Sequence, residues 1–205
     1  MKDLIVLVAD KNMEHTVRGL LQRPQALDVR AIDAEIFVHP RHDPGCVNEA
    51  HDFMRPFASS HRHALVLFDH DGSGREGTAP NALADEVRQK LEASGWADRA
   101  EAIVLAPELE VWVWSDSPQV AACLGWAERQ PPLRDWLAAT GLWPADQAKP
   151  ADPKHAMEAA LRQARKPRSS AIFLDLASRV SLRGHNEPAF LRLSHALRAW
   201  FPPKP

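Results

Sequence analysis

An apolar run that stops on two acidic residues constrains this chain more than any other feature: Ala64-Leu-Val-Leu-Phe-Asp-His-Asp-Gly-Ser-Gly-Arg-Glu-Gly77. Five apolar residues followed by turn formers predict a buried strand over 64–68. Asp69 and Asp71 then fall at its C-terminal end, where open α/β sheets gather ligands. Residues two apart in an extended segment point the same way, so the spacing predicts that both carboxylates converge on one site. Two ionised carboxylates about 4 Å apart repel by roughly 4 kcal/mol at an effective dielectric of about 20. Such a pair calls for a cation, a shared proton or a wide separation, and a divalent metal ion is the simplest of the three. The competing reading is a strand-exit turn whose carboxylates bond backbone N–H groups.

Residues 4–9 form a continuous aliphatic run fit for a central strand. Asn12 is placed to cap a helix to about residue 22, with Val17, Leu20 and Leu21 on its inner face. Residues 29–38 alternate well enough for a second strand, ending in the turn-rich His39-Pro-Arg-His-Asp-Pro-Gly45, and 47–58 reads as a helix. A helix over 81–94 follows the third strand, and 102–105 makes a fourth, closed by Pro107. This alternation predicts an α/β fold, a mostly parallel, Rossmann-like sheet flanked by helices over residues 1–116. From 117 to 205 the pattern is helical, a C-terminal extension expected to pack on the core as one structural unit. Helices are expected over 108–115, 119–128, 133–140, 153–165 and 188–201, with prolines breaking them between; 172–177 fits strand or helix equally.

A net charge of −2 carries no global basic signature of a nucleic-acid-coating protein. A local basic face stays open, because Arg162, Arg165, Lys166 and Arg168 cluster as either a solvated face or a nucleic-acid contact. Cys46 and Cys123 match no metal-binding spacing and fit reduced thiols. The N-terminus shows no targeting pattern, and no apolar run reaches membrane-spanning length; a soluble, cytoplasmic chain with no membrane partner is expected. His61-Arg-His63 and the His39/His42 pair lack zinc-binding spacing, and His70 is expected on the side opposite the two aspartates. Trp112 and Trp114 cannot share one face of a helix, which makes one of them a candidate for an exposed partner surface.

The order of elements, with an acidic residue after strand one and Asp-x-Asp-Gly after strand three, resembles the Toprim fold of topoisomerases, primases and overcoming-lysogenization-defect nucleases. Pro107-Glu-Leu-Glu-Val-Trp-Val-Trp-Ser-Asp116 is similar to the Pro-Glu-x-Glu-x-Trp-x-x-x-Asp segment of small RloB-like Toprim proteins. Lys149-Pro-Ala-Asp-Pro-Lys154 and the closing segment 190–201 are similar to that group's tail. The resemblance implies a Mg²⁺- or Mn²⁺-dependent nuclease that cleaves phosphodiester bonds in DNA or RNA. It also implies a place in a bacterial anti-phage, methylation-associated restriction system, beside partners such as an ATPase or a methyltransferase. The chain departs from the family pattern at Ala9, where a glutamate is expected; Asp10 comes next, and Glu14 matches the second acidic residue. That departure keeps a second reading open, a catalytically silent Toprim-like scaffold that binds partner proteins of such a complex.

On that resemblance Asp69, Asp71 and Glu110 are the expected metal ligands, an all-oxygen set suited to Mg²⁺. Asp10, Glu14, Glu110 and Lys154 are the expected catalytic residues, with Glu108 as an acidic neighbour. Lys11, Arg75, Arg162 and Arg165 are the expected nucleic-acid contacts. Two other chemistries compete for the same residues. A haloacid-dehalogenase-type phosphatase would use Asp69 as nucleophile and Asp71 as general acid, but Ser73 stands where threonine is usual. A receiver-like phosphoacceptor would pair Asp10 with Asp69, but it expects a lysine after the last strand.

Overall fold

The two strands with the most apolar sequence lie side by side at the centre of the sheet. In the computed structural model, which describes residues 1–182, 184 and 186–203, these are β1 (Lys2–Val8) and β3 (His61–Asp69). With β2 (Ala34–Val38) and β4 (Ala100–Leu105) they form a parallel sheet ordered β2-β1-β3-β4. Residues 4–8 and 64–68 are buried throughout, as parallel strands covered on both faces must be.

The connections between strands set the functional geometry. From β1 the chain moves outward to β2 through α1 (Lys11–Leu21) and the short α2 (Pro24–Leu27). It then returns over α3 (His42–Met54) to the other side of β1, and α4 (Pro80–Leu91) carries it on to β4. The winding therefore reverses between β1 and β3, and the C-terminal ends of these strands flank the crevice where such sheets bind ligands. Val8 pairs with Leu67, so Asp10 stands level with Asp69 two residues beyond the last pair.

The expected extension is helical: α5 (Pro118–Cys123), α6 (Leu133–Ala139), α7 (Pro153–Ala164), α8 (Ser170–Arg179) and α9 (Pro188–Trp200). The ambiguous 172–177 segment is helix, with Ile172, Phe173, Leu176 and Ala177 buried. Helix α8 packs closely along α1, and α9 lies on β4. Close approach is built in at Gly19, where a Cβ would stand 2.7 Å from Ala177 Cβ and 2.9 Å from the Leu174 carbonyl oxygen. On the other side of the molecule α3 and α4 pack together, against β3 and β4 respectively.

Several boundaries differ from expectation. Residues 29–33 are not strand, because Arg30 turns to other partners: its N–H donates to the Phe201 carbonyl and its guanidinium grips Asp3. The cap of α1 is Asp10 rather than Asn12; extended backbone at Asp10 lets its Oδ1 accept the Met13 N–H at 2.9 Å. The expected helix over 108–115 is a 3₁₀ turn over Leu109–Trp112, and α5 stops at Cys123, before the left-handed Gly125. Both Trp112 and Trp114 are buried, so neither offers a partner surface. The turn is sandwiched: Trp112 packs edge-on against Phe190 and Trp114 against Trp143, while Trp114 Nε1 donates to the Pro153 carbonyl. The thiols of Cys46 and Cys123 are buried and unpaired. Among the described residues no helix is long and apolar enough to cross a membrane.

Candidate functional site

Asp69 is the last residue of β3, at the C-terminal end of the strand. Its backbone N–H donates to Asp43 Oδ1 at 2.8 Å. Its own Oδ1 is shielded from solvent and receives no hydrogen bond from any described residue. Beyond Asp69 the chain turns. The His70 N–H donates to the Leu105 carbonyl and the Asp71 N–H to the Pro107 carbonyl, and Gly72 adopts φ +85°. The extended spacing that would align Asp71 with Asp69 therefore ends at Asp69. The Asp71 side chain is 62% exposed, 4.0 Å from His70 Nδ1. His70 places Nε2 2.8 Å from the Thr78 carbonyl oxygen, and Glu76 accepts the Gly72 and Gly74 N–H groups, so the turn is held by its own atoms.

A residue not singled out from sequence stands beside Asp69 instead. Asp43 lies in the first turn of α3, where the helix dipole favours a carboxylate. The residue before it, His42, holds a left-handed φ of +49° and brings Nδ1 to 3.0 Å from the Ala9 carbonyl oxygen. Together His42 and Asp43 tie the loop after β2 to the ends of both β1 and β3. The local signal was an acidic residue before proline at a strand–helix junction, inside a stretch that otherwise reads as turn.

Two further carboxylates arrive after β4. Glu108 and Glu110 are buried, and each is met by a cation from the extension. Lys154 Nζ lies 2.8 Å from Glu108 Oε2, and Arg168 forks between Glu110 and Glu158. Lys154 sits in the first turn of α7, where the dipole disfavours a cation, so Glu108 offsets that penalty. The hydrogen bond to Glu108 also raises the Lys154 pKa.

The electrostatics centre on Asp69. Burial first, and then the charges of Asp43, Glu110, Asp10 and Glu108, hold its carboxyl well above the usual carboxylate range. Burial likewise raises Asp43, with Asp10 adding to the effect against the lowering contribution of the Asp69 amide. Glu110 is raised by burial despite the neighbouring Arg168. The charges that act on Asp69 thus come from residues at or after the ends of the other three strands: Asp10, Asp43, Glu108 and Glu110.

The remaining expected residues lie in other settings. Glu14 is bridged on α1 by Lys11 and Arg18, both at 2.8 Å; although burial opposes it, these cations lower its pKa. Lys11 is thereby paired with Glu14. Arg75 forks onto Glu86. Arg162 lies 3.8 Å from Glu158, and Arg165 is the exposed left-handed cap of α7.

Among the described residues, no three His, Cys, Asp or Glu side chains are gathered as a ready ligand set. A pair of carboxylates completed by waters is a different matter, since Mg²⁺ is commonly held by one or two carboxylates and keeps several waters. The shielded, unpartnered Asp69 Oδ1 with Asp43 at its side fits that smaller demand. Comparison of the chain with protein-family models, with curated proteins and with solved structures finds no match.

Proposed function

We propose that the chain is a Toprim-like protein performing Mg²⁺- or Mn²⁺-dependent phosphodiester hydrolysis at the β1/β3 crevice. One observation carries the reading: a shielded, unpartnered carboxylate oxygen of Asp69 at the topological switch point, with Asp43 hydrogen-bonded to the Asp69 backbone beside it. An isolated buried carboxylate is expensive unless it gains a proton or a cation. A divalent cation bound there supplies polarisation of a phosphoryl oxygen and a bound water of lowered pKa. The chain's own part is positional. Asp69 and its acidic neighbours hold the charge, and Asp10 sits level with Asp69 across the crevice. Lys154 and Arg168, paired with Glu108 and Glu110, are the cations that would have to exchange those carboxylates for the non-bridging oxygens of a phosphate. The motif segments 107–116, 149–154 and 190–201 support the RloB-like placement, and with it a role in anti-phage defence beside an ATPase or methyltransferase.

A specific observation favours the silent-scaffold reading as the second choice. Ala9 occupies the position of the expected glutamate, and Glu108 and Glu110 are already neutralised by Lys154 and Arg168. The decisive experiment is cleavage of labelled DNA and RNA by the purified chain with Mn²⁺, Mg²⁺ or chelator, comparing it with Asp69→Ala. Metal-dependent cleavage lost in the variant supports hydrolysis. Cleavage that persists unchanged in the variant removes Asp69 from the reaction.

A further inference from the structure

The turn after β3 takes Asp71 out to solvent, and the carboxylate that faces Asp69 comes from elsewhere in the chain. Asp43 reaches the end of β3 from the first turn of α3, with Oδ1 fixed 2.8 Å from the Asp69 nitrogen. Its other oxygen, Oδ2, points toward the turn at Gly72, where a Cβ would stand 4.0 Å away. The corner that delivers Asp43 is itself pinned, since His42 is held in a left-handed conformation against the Ala9 carbonyl oxygen. Non-glycine residues in that region persist only where surrounding contacts hold them, and they cluster at functional sites. Asp69 Oδ1 supplies the independent sign of a ligand, being shielded from solvent and lacking a hydrogen-bond donor. Among the charges acting on Asp69, Asp43 is the foremost.

Resting on the metal-dependent reading above, we propose that Asp43, and not Asp71, is the carboxylate that works with Asp69 to hold a divalent cation at the switch point. Two carboxylates completed by waters would meet the coordination habits of Mg²⁺ and Mn²⁺. Asp71, outside this pair, belongs to the solvated rim. The substitution series Asp43→Asn, Asp69→Asn and Asp71→Asn separates the two assignments. Asparagine at position 43 keeps an oxygen for the Asp69 N–H, and Asp43→Ser serves as a second variant that also keeps one while removing the charge.

The unmodified chain and each variant are titrated with MnCl₂, reading free Mn²⁺ by electron paramagnetic resonance and folding by circular dichroism in chelator. The expected result is a Mn²⁺ affinity at least tenfold weaker in Asp43→Asn, Asp43→Ser and Asp69→Asn, with Asp71→Asn within twofold of the unmodified chain. A folded Asp43 variant whose affinity falls by less than tenfold overturns the proposal while leaving the metal-dependent reading intact. So does a more than twofold loss in Asp71→Asn, a variant on an exposed turn. An unmodified chain that takes up no Mn²⁺ at millimolar concentration overturns the proposal and the metal-dependent reading together.

Discussion

Asp43 Oδ1 accepts the backbone N–H of Asp69 at 2.8 Å, joining the first turn of α3 to the last residue of β3. Removing the acceptor leaves that N–H without its partner, so Asp43→Ala is expected to lower stability by about 1–3 kcal/mol. Asp43→Asn, which retains an oxygen, is expected to lose less than half as much. Urea denaturation of the three proteins in chelator checks the order; equal losses in both variants would remove the hydrogen bond from the account.

Asp69 carries the opposite expectation. One oxygen of its carboxylate, Oδ1, is shielded and accepts no hydrogen bond from a described residue, and burial with the charge of Asp43 disfavours ionisation, so folding without a cation works against it. Asp69→Asn is expected to melt higher than the unmodified chain in chelator at neutral pH. Relief of about 1 kcal/mol corresponds to about 2–4 °C for a chain of this size. A lower melting temperature in the variant would mean that the carboxylate is satisfied by contacts not described above.

At the opposite end of the sheet the sign reverses. Asp3 receives two Arg30 hydrogen bonds at 2.7 Å and a third from the Asp33 N–H at 3.1 Å. The Arg30 bonds foremost lower its pKa from 3.8 to about 2. Its stabilising contribution is therefore complete above pH 3.8 and disappears as the pH falls through 3.8 toward 2. Asp3→Asn is expected to be about 1 kcal/mol less stable at neutral pH, the size left to a partly solvated pair after screening. The two stability curves should converge by pH 2, and parallel curves across the acid range would count against the pairing.

Arg168 tests the other flank of the cluster. Removing one partner of a fully buried pair costs about 3–5 kcal/mol, but Arg168 is about a third exposed, so Arg168→Met is expected to lose about 1–3 kcal/mol. Adding Glu110→Gln removes the stranded charge and should restore at least half of that loss. A double-mutant cycle read by thermal melting gives the coupling directly.

Gly19 sets two effects against each other. Alanine improves helix propensity by about 1 kcal/mol, yet its Cβ would press to within 2.7 Å of Ala177 and 2.9 Å of the Leu174 carbonyl oxygen. Backbone cannot yield as a flexible side chain can, and overpacking costs about 1–3 kcal/mol. Gly19→Ala is expected to be destabilising on balance, and Ala177→Gly in the same chain should recover part of the loss.

How much of this was legible in the sequence follows from the range of each determinant. The buried strands at 4–8 and 64–68 announce themselves, because covered parallel strands need unbroken apolar runs. Helix α1 was readable from Val17 and Leu20, but its cap was misread by two residues, since Asp10 and Asn12 are equally good cap formers and only the extended backbone at Asp10 decides between them. The exposure of Asp71 depends on the turn after β3, where the Asp71 N–H donates to the Pro107 carbonyl and Gly72 takes a left-handed φ, a placement that the local Asp-x-Asp spacing does not encode. Asp43 was missed because its partner lies 26 positions downstream, across a crossover that local spacing does not encode. The same holds for Arg168, whose pairing with Glu110 spans 58 positions.

The packing of α8 on α1 carries a consequence for synthesis. Ser170 hydrogen-bonds to Asn12 across 158 positions, and Met13, Val17 and Leu20 are among the buried side chains of the early helix. On the ribosome, at roughly 5–20 residues per second, that roof arrives roughly 8–30 s after the surface it shelters. Throughout that interval the apolar face of the nascent early segment is left uncovered, which makes it a client for whatever holds unfinished polypeptides apart.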